Sequence, residues 1–439
     1  MTRIMLVWVA LLACSASAES SVQKARKGFK TKLVTRLVDS EPLPPLPPKL
    51  FEIVQYQGPL GPLQAMVSKA PGPGKHPAIL WLSGGFPPGG MNEAAWEPQP
   101  RGNDQSGAQF RTAGLVVMYP TLRGSFGNAG QAEAFLGEVD DVLAALTWLR
   151  ASPDVDSTRI YLGGHSTGAT LALLVAASTD VRGVLALGPI DDVCAYGQQS
   201  LPFDVRNKRE CAVRSPLQFL DAVRAPTLVI EGQLGNSEAL HAMERATKNP
   251  KLSFLVLEGF THFSAIAPVN EFFAPRLARA TVDAPLFDVA ALREAVLRPR
   301  VVTHPDGWAL SVPPGFEEKL DAEDAKMPFT FVRYPSTLDL QVIGVQRLGG
   351  TIGRECASAK GLEKMNAKPL STKWGTFELC GFRQEKQKGE ATLVVLSFEV
   401  PTAKSAIIVH VTGFLENEVN LLALAQQTVA SVKGQSSWK

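Results

Sequence analysis

The chain has 439 residues, 45% of them hydrophobic and 20% charged, with a formal net charge of +2. This length exceeds what one ordinary core encloses, so two folded domains are expected. The near-neutral balance argues against nucleic acid as a partner, because a phosphate-binding surface needs a strong basic excess.

Met1-Thr2-Arg3 is a short basic start, and Ile4 to Ala13 is apolar but too short to span a bilayer. Ala16-Ser17-Ala18 reads as the cleavage site of a signal peptide over residues 1–18. Leu11-Leu12-Ala13-Cys14 competes with it, as a lipoprotein signal over residues 1–13 with a lipid anchor at Cys14. Either way the mature chain is expected to be exported, periplasmic or extracellular, and in the second case held at a membrane. Residues 19–50 are basic at Lys24, Arg26, Lys27, Lys30, Lys32 and Arg36, then rich in proline from Pro42 to Pro48. They read as a solvated tether and a stiff, extended linker.

From residue 51 to 285 apolar strands alternate with helices. Phe51 to Val67 reads as a hairpin. Ala78–Leu82, Leu115–Tyr119, Val184–Leu187, Thr227–Ile230 and Leu252–Leu257 are short, continuously apolar runs suited to strands buried on both faces. Glu138 to Arg150 carries Val139, Val142, Leu143, Leu146 and Leu149 at helical spacing, with acids in its first turn. The expected class is α/β, a doubly wound, mostly parallel sheet. Residues 286–299 form a linker helix. Residues 300–435 read as a smaller α+β domain: strands at Trp308–Val312, Phe329–Arg333, Leu338–Val345, Thr376–Cys380, Thr392–Val400 and Ala406–Gly413 precede a helix over Asn417–Val432.

The strongest motif is Gly164-His165-Ser166-Thr167-Gly168, between the apolar run Arg159–Leu162 and the apolar helical run Ala169–Val175. Strand, Gly-x-Ser-x-Gly, helix is a bend so tight that the flanking glycines have no room for side chains, and it leaves the serine exposed on a strained backbone. Such a serine needs a base to take its proton and donors to hold an oxyanion. There are six histidines. His165 lies inside the bend and should point away from Ser166; His76, His241, His304 and His410 fall before a strand, in a helix or in the second domain. His262 follows the last apolar strand, in a loop where a base can reach the carboxyl edge of the sheet. The oxyanion donors are expected from the amide of Thr167 and from Gly85 or Phe86 in the loop Ser83-Gly84-Gly85-Phe86.

On these residues, 51–285 resembles the α/β-hydrolases, nearest to the catalytic domain of prolyl oligopeptidase-type serine peptidases and to dienelactone-hydrolase-like esterases. Besides Gly164–Gly168, the matching stretches are Tyr119–Ser125, Arg214-Ser215-Pro216-Leu217, Ala225–Gly232 and Thr261-His262-Phe263. The resemblance implies a triad whose acid lies three residues past the glycine that ends the seventh strand. Here that glycine is Gly232 and the position holds Gly235, followed by Asn236. Asp192, in the loop after the sixth strand, is therefore the first choice of acid, with Asp191, Glu231 and Glu238 as alternatives. Asp192 could instead cap a helix or pair with Arg214. Arg123 pairs with Asp140 or Asp141 on a structural reading, or meets substrate carbonyls on a functional one. Residues 300–435 more distantly resemble the PsbP-like fold, through Trp308, Pro314, Gly315 and Phe316 and the closing helix.

Outside the signal the cysteines fall as one pair in each half of the chain, so disulfides Cys194–Cys211 and Cys356–Cys380 are expected in an exported protein. The first would staple a segment, 191–217, that can cap the site. No cofactor motif and no metal-ligand spacing is evident. The expected function is an exported serine hydrolase that cleaves a small ester or short peptide through an acyl-enzyme. The alternative is a non-catalytic binding protein on a degenerate hydrolase scaffold, motivated by the missing acid.

Overall fold

The computed structural model describes residues 21–86 and 93–303 and, beyond them, 308–318, 329–333, 341–348, 363–365, 370–372, 375–377, 381–388, 391–401, 406–415 and 418–432. The segment read as a signal, with Cys14, and both Cys356 and Cys380, lie outside these residues.

The larger sheet contains β1 (Phe51–Gly58), β2 (Gly61–Ser68), β3 (His76–Leu82), β4 (Val116–Pro120), β5 (Val155–His165), β6 (Gly183–Leu187), β7 (Thr227–Gly232) and β8 (Leu252–Leu257). Their order is β1-β2-β4-β3-β5-β6-β7-β8. The β1–β2 hairpin joins β4 antiparallel; from β4 onward every pairing is parallel. This is the doubly wound sheet expected from the sequence. Its central strands carry continuous apolar runs because successive side chains enter opposite cores. In β3, Ala78, Leu80 and Leu82 join one cluster, while Ile79 and Trp81 join the other.

The helices, in chain order, are α1 (Ser21–Arg26), α2 (Ala108–Thr112), α3 (Gly137–Ala151), α4 (Thr167–Ala176), α5 (Lys208–Ala212), α6 (Ser237–Ala246), α7 (Ile266–Arg279) and α8 (Val289–Leu297). The first cluster takes α3 through Val139, Val142, Leu146 and Leu149, together with α4 and α6. The second takes α2, α7 and α8 through Phe110, Phe273 and Leu292. Arg123 meets Asp141 with both ends of its guanidinium, at 2.9 and 2.8 Å, and Glu133 at 3.0 Å, so the structural reading holds.

Residues 21–50 differ from a solvated tether. Val22 of α1 is buried, and Arg26 donates to the carbonyls of Val213, Leu136 and Phe135 at 3.0, 2.8 and 2.7 Å. Desolvation pulls the Arg26 guanidinium down to about 10. Leu33 bridges Phe203; the amides of Val34 and Thr35 donate to Pro202 O. Asp39 N donates to Gly124 O, and Asp39 O accepts from Gly127 N. Composition alone marks this segment as hydrophilic, but its backbone bonds are made to the larger domain.

After α8, β9 (Arg300–Thr303) pairs with β10 (Ala309–Val312). A second sheet follows, from β11 (Glu317–Glu318), β12 (Phe329–Arg333), β13 (Gln341–Leu348), β14 (Glu363–Met365), β17 (Gly381–Lys388), β18 (Ala391–Pro401) and β19 (Ala406–Phe414). It is antiparallel, in the order β11-β12-β13-β19-β18-β17-β14. The small pair β15 (Leu370–Thr372) and β16 (Gly375–Phe377) stands apart. The closing helix α9 (Glu418–Ala430) packs Leu421, Leu424, Ala425 and Val429 onto Leu396, Phe398, Val409 and Val411. Alternation in β18 and β19 sends one face of each strand to this helix, which is why the strands were legible.

Candidate active site

β5 runs into α4 through Ser166, whose φ of 55° and ψ of −121° place a non-glycine residue in a strained region. The two glycines explain how that bend closes. A Cβ on Gly164 would lie 2.7 Å from Leu82 O, and one on Gly168 would run into the same carbonyl. The serine is half-buried, its amide donating to Leu187 O at 2.8 Å. Its hydroxyl has no hydrogen-bond partner among the described residues.

His262 stands in the loop between β8 and α7. Its ring lies against Gly188, the residue after Leu187, where a Cβ would be 2.5 Å from Cε1. Ser166 and His262 thus both sit at the carboxyl end of β6, held by adjacent residues of one strand end. His262 Nδ1 is 2.9 Å from Glu231 Oε2. Glu231 is the penultimate residue of β7, its side chain 1% exposed. Its other bonds are from Gly232 N at 2.7 Å and Asn236 N at 3.0 Å. A carboxylate accepts only, so Nδ1 carries the proton of this bond, and in the neutral ring Nε2 is the nitrogen with the lone pair.

Asp192 is not brought to His262. It is exposed and caps the short 3₁₀ turn Val193–Tyr196, accepting from Cys194 N and from Ser215 Oγ, each at 3.0 Å. Neither Asp191 nor the exposed Glu238 bonds His262. The correction has a steric reason. A Cβ on Gly235 would lie 2.6 Å from Glu231 Oε1 and 3.0 Å from His262 Cα. The longer acid reaches from the strand into the space beside the loop position where the family pattern places a shorter one. A signal was present: Glu231 ends an apolar run buried on both faces, and an unpartnered carboxylate there is costly. Arg214 is also not paired with Asp192; it is fully buried against Glu210 and Thr31.

The loop after β3 lies against Ser166. A Cβ on Gly84 would be 3.0 Å from Ser166 Cβ, and Gly85 O accepts from Thr167 Oγ1 at 2.6 Å. Gly85 has φ of +107°, which a residue with a side chain adopts only under strain. Thr167 opens α4, so its amide has no acceptor within the helix. Phe86 is 41% exposed; its ring meets Tyr196 edge-on at 5.0 Å. Tyr196 reaches Thr170 Oγ1 at 3.3 Å, and burial pushes its phenol up to about 12.

His165 bonds groups other than Ser166. Its Nε2 is 3.0 Å from His262 O, its Nδ1 is 3.2 Å from the Gln105 side chain, and its ring centroid is 4.5 Å from that of His262. Complete burial holds this imidazole well below its usual value, with His262 adding to the effect. The Cys194–Cys211 disulfide is formed, with Cα atoms 5.5 Å apart, and it closes the segment that carries Tyr196. Those two sulfurs and Asp192 are the one compact metal-like cluster among the described residues, and the disulfide commits both sulfurs.

The sheet order, with the serine bend between β5 and α4, is that of the α/β-hydrolase fold. Residues 103–243 match the model of the prolyl oligopeptidase family. The uncharacterised peptidase YtmA of Bacillus subtilis (strain 168) is 25% identical over 185 residues, 39% of this chain and 68% of that protein. An uncharacterised protein of Mycobacterium tuberculosis (strain CDC 1551 / Oshkosh) is 28% identical over 152 residues, 34% of this chain; the chain spans about half, 53%, of its length. Among solved structures, an esterase of Pyrococcus furiosus aligns at 17% identity and a TM-score of 0.43, over 56% of this chain and 96% of that one.

Proposed function

We propose that this protein is an exported serine hydrolase that cleaves a small ester or short peptide bond by way of an acyl-enzyme. The observation that carries the reading is the buried Glu231 carboxylate on His262 Nδ1, at the same sheet edge as the strained Ser166. In this reading Ser166 Oγ attacks the carbonyl carbon while His262 Nε2 takes its proton. Glu231 keeps the ring in the receptive tautomer and stabilises the imidazolium. The developing oxyanion is held by the Thr167 amide and by one from the Gly85–Phe86 loop. The imidazolium then protonates the leaving group, and a water, deprotonated by His262, releases the acid and restores Ser166.

The rival, a binding protein on a decayed scaffold, was motivated by the absent acid. Glu231 removes that motive. Export is supported by the signal-like start and by a disulfide that belongs in an oxidising compartment. The test is labelling with a fluorophosphonate probe together with turnover of p-nitrophenyl acetate. Both should be present in the wild-type protein and absent in Ser166→Ala. Equal turnover by the two proteins would end the proposal.

A further inference from the structure

A cavity of about 370 Å³ lies between the N-terminal segment and the hydrolase domain, lined by Leu37, Val38, Phe86 and Gln199 and by the charged pair Arg36 and Asp39. Its size is at the lower end of small-ligand sites, room for one apolar group rather than a folded partner. Val38 and Phe86 are each 41% exposed, two large apolar side chains left facing the same space. Arg36 and Asp39 bring one charge of each sign, so the walls hold no net charge to draw in an ion.

The cavity is close to the nucleophile. A Cβ on Gly84 would lie 3.0 Å from Ser166 Cβ, and Phe86 is two residues further on, its Cα within about 7 Å of that of Gly84. The sheet order says which part of a substrate points that way. His262 and Glu231 stand on the β6–β7 side of Ser166, and the loop after β3 stands on the other side of β5. Because His262 must protonate the departing atom, the leaving group lies on the β6–β7 side. The carbonyl oxygen and the acyl substituent then both lie away from His262, on the side where the oxyanion donors, Phe86 and the cavity stand.

We infer that the N-terminal strap, residues 33–39, forms one wall of the acyl-binding subsite, and that this subsite takes a straight apolar acyl chain. This rests on the serine-hydrolase reading and adds its substrate class. The strap is held on both sides of the cavity. Leu33 bridges Phe203, and the amides of Val34 and Thr35 donate to Pro202 O. Past it, Leu37 O accepts from Ala132 N, and Asp39 bonds Gly124 and Gly127. Its position is therefore set by bonds to the loop after β4 and to the disulfide-closed segment, and the exposed Val38 side chain is presented to the cavity from a fixed backbone.

The test is the ratio of kcat/KM for p-nitrophenyl octanoate to that for p-nitrophenyl acetate, measured in wild type, Val38→Asp and Val34→Asp. Val34 is on the same strap, 55% exposed and outside the cavity. A charge in the acyl wall should lower the ratio by about tenfold in Val38→Asp, the size of effect one altered apolar contact produces in a pocket. Val34→Asp should leave it unchanged. Equal ratios in the two variants, with Ser166 still labelled by the fluorophosphonate, would overturn the strap's role and leave the hydrolase reading intact. A wild-type protein that neither labels nor turns over acetate would instead sink the reading beneath it. Val38→Trp, which fills the cavity without adding charge, should also lower the octanoate-to-acetate ratio; an unchanged ratio there counts against the inference.

Discussion

Changing Glu231 to Gln keeps the shape of the side chain and removes its charge. In the native site its carboxylate faces three N–H groups: Gly232 N at 2.7 Å, Asn236 N at 3.0 Å and His262 Nδ1 at 2.9 Å. An amide has one acceptor oxygen and one donor nitrogen, so at least one of the three is left facing a donor. With its NH₂ towards His262, Glu231→Gln forces the ring proton onto Nε2, the tautomer that cannot accept from Ser166. Turned the other way it opposes the Gly232 amide in a buried position, at about 1–3 kcal/mol of stability. Loss of a triad acid lowers turnover by roughly 10⁴, about 5.5 kcal/mol of barrier at 1.36 kcal/mol per decade. The expected result is a fall in kcat on p-nitrophenyl acetate of about 10³ to 10⁴, with the protein still folded by circular dichroism. Asp192→Asn should retain nearly all activity, because Asn is an equally good cap. Should Glu231→Gln keep a tenth or more of wild-type kcat, or Asp192→Asn lose what Glu231→Gln was expected to lose, the assignment is wrong.

His165 makes stability depend on acid. Its folded value lies well below the ordinary 6.5, so below that pH the unfolded chain binds a proton that the native protein refuses. Stability contributed by the neutral ring is therefore complete above pH 6.5 and declines as pH falls, by up to about 1.4 kcal/mol per pH unit. Urea midpoints at pH 7.5 and 5.5 should diverge in wild type and converge in His165→Gln; equal divergence in both would show that the load lies elsewhere. The groups facing the ring are His262 and Gln105. Reduction of Cys194–Cys211, whose partners are 17 residues apart, should cost about 3 kcal/mol on the chain-entropy estimate. Thermal melts with and without reductant check it, and coincident melts would mean that the native contacts of the segment suffice without the bond.

Short-range physics made much of this protein legible in its sequence. Gly-x-Ser-x-Gly states a backbone constraint within five residues, and Gly164 and Gly168 show why it permits no other residue types there. Strands such as Ala78–Leu82 declared themselves because burial on both faces leaves no polar position in the run. His262 followed from chain order, since a loop after the last strand returns to the carboxyl edge, and the spacing of Cys194 and Cys211 suggested their bond. The acid could not be settled in that way. Glu231 and Asp192 both stand at carboxyl ends of neighbouring parallel strands, and only the tertiary packing decides which one faces His262, 31 positions away. The N-terminal segment, residues 21–50, is a second case. Its lysines and prolines mark it as solvated by composition, whereas Arg26 bonds Val213 across 187 positions and Leu33 bridges Phe203. Local pattern reports which residues want to be buried or bent; contacts between residues far apart in the chain arise only when the folded surfaces meet, and here those contacts pair Glu231 with His262 and fix residues 33–39 against the larger domain.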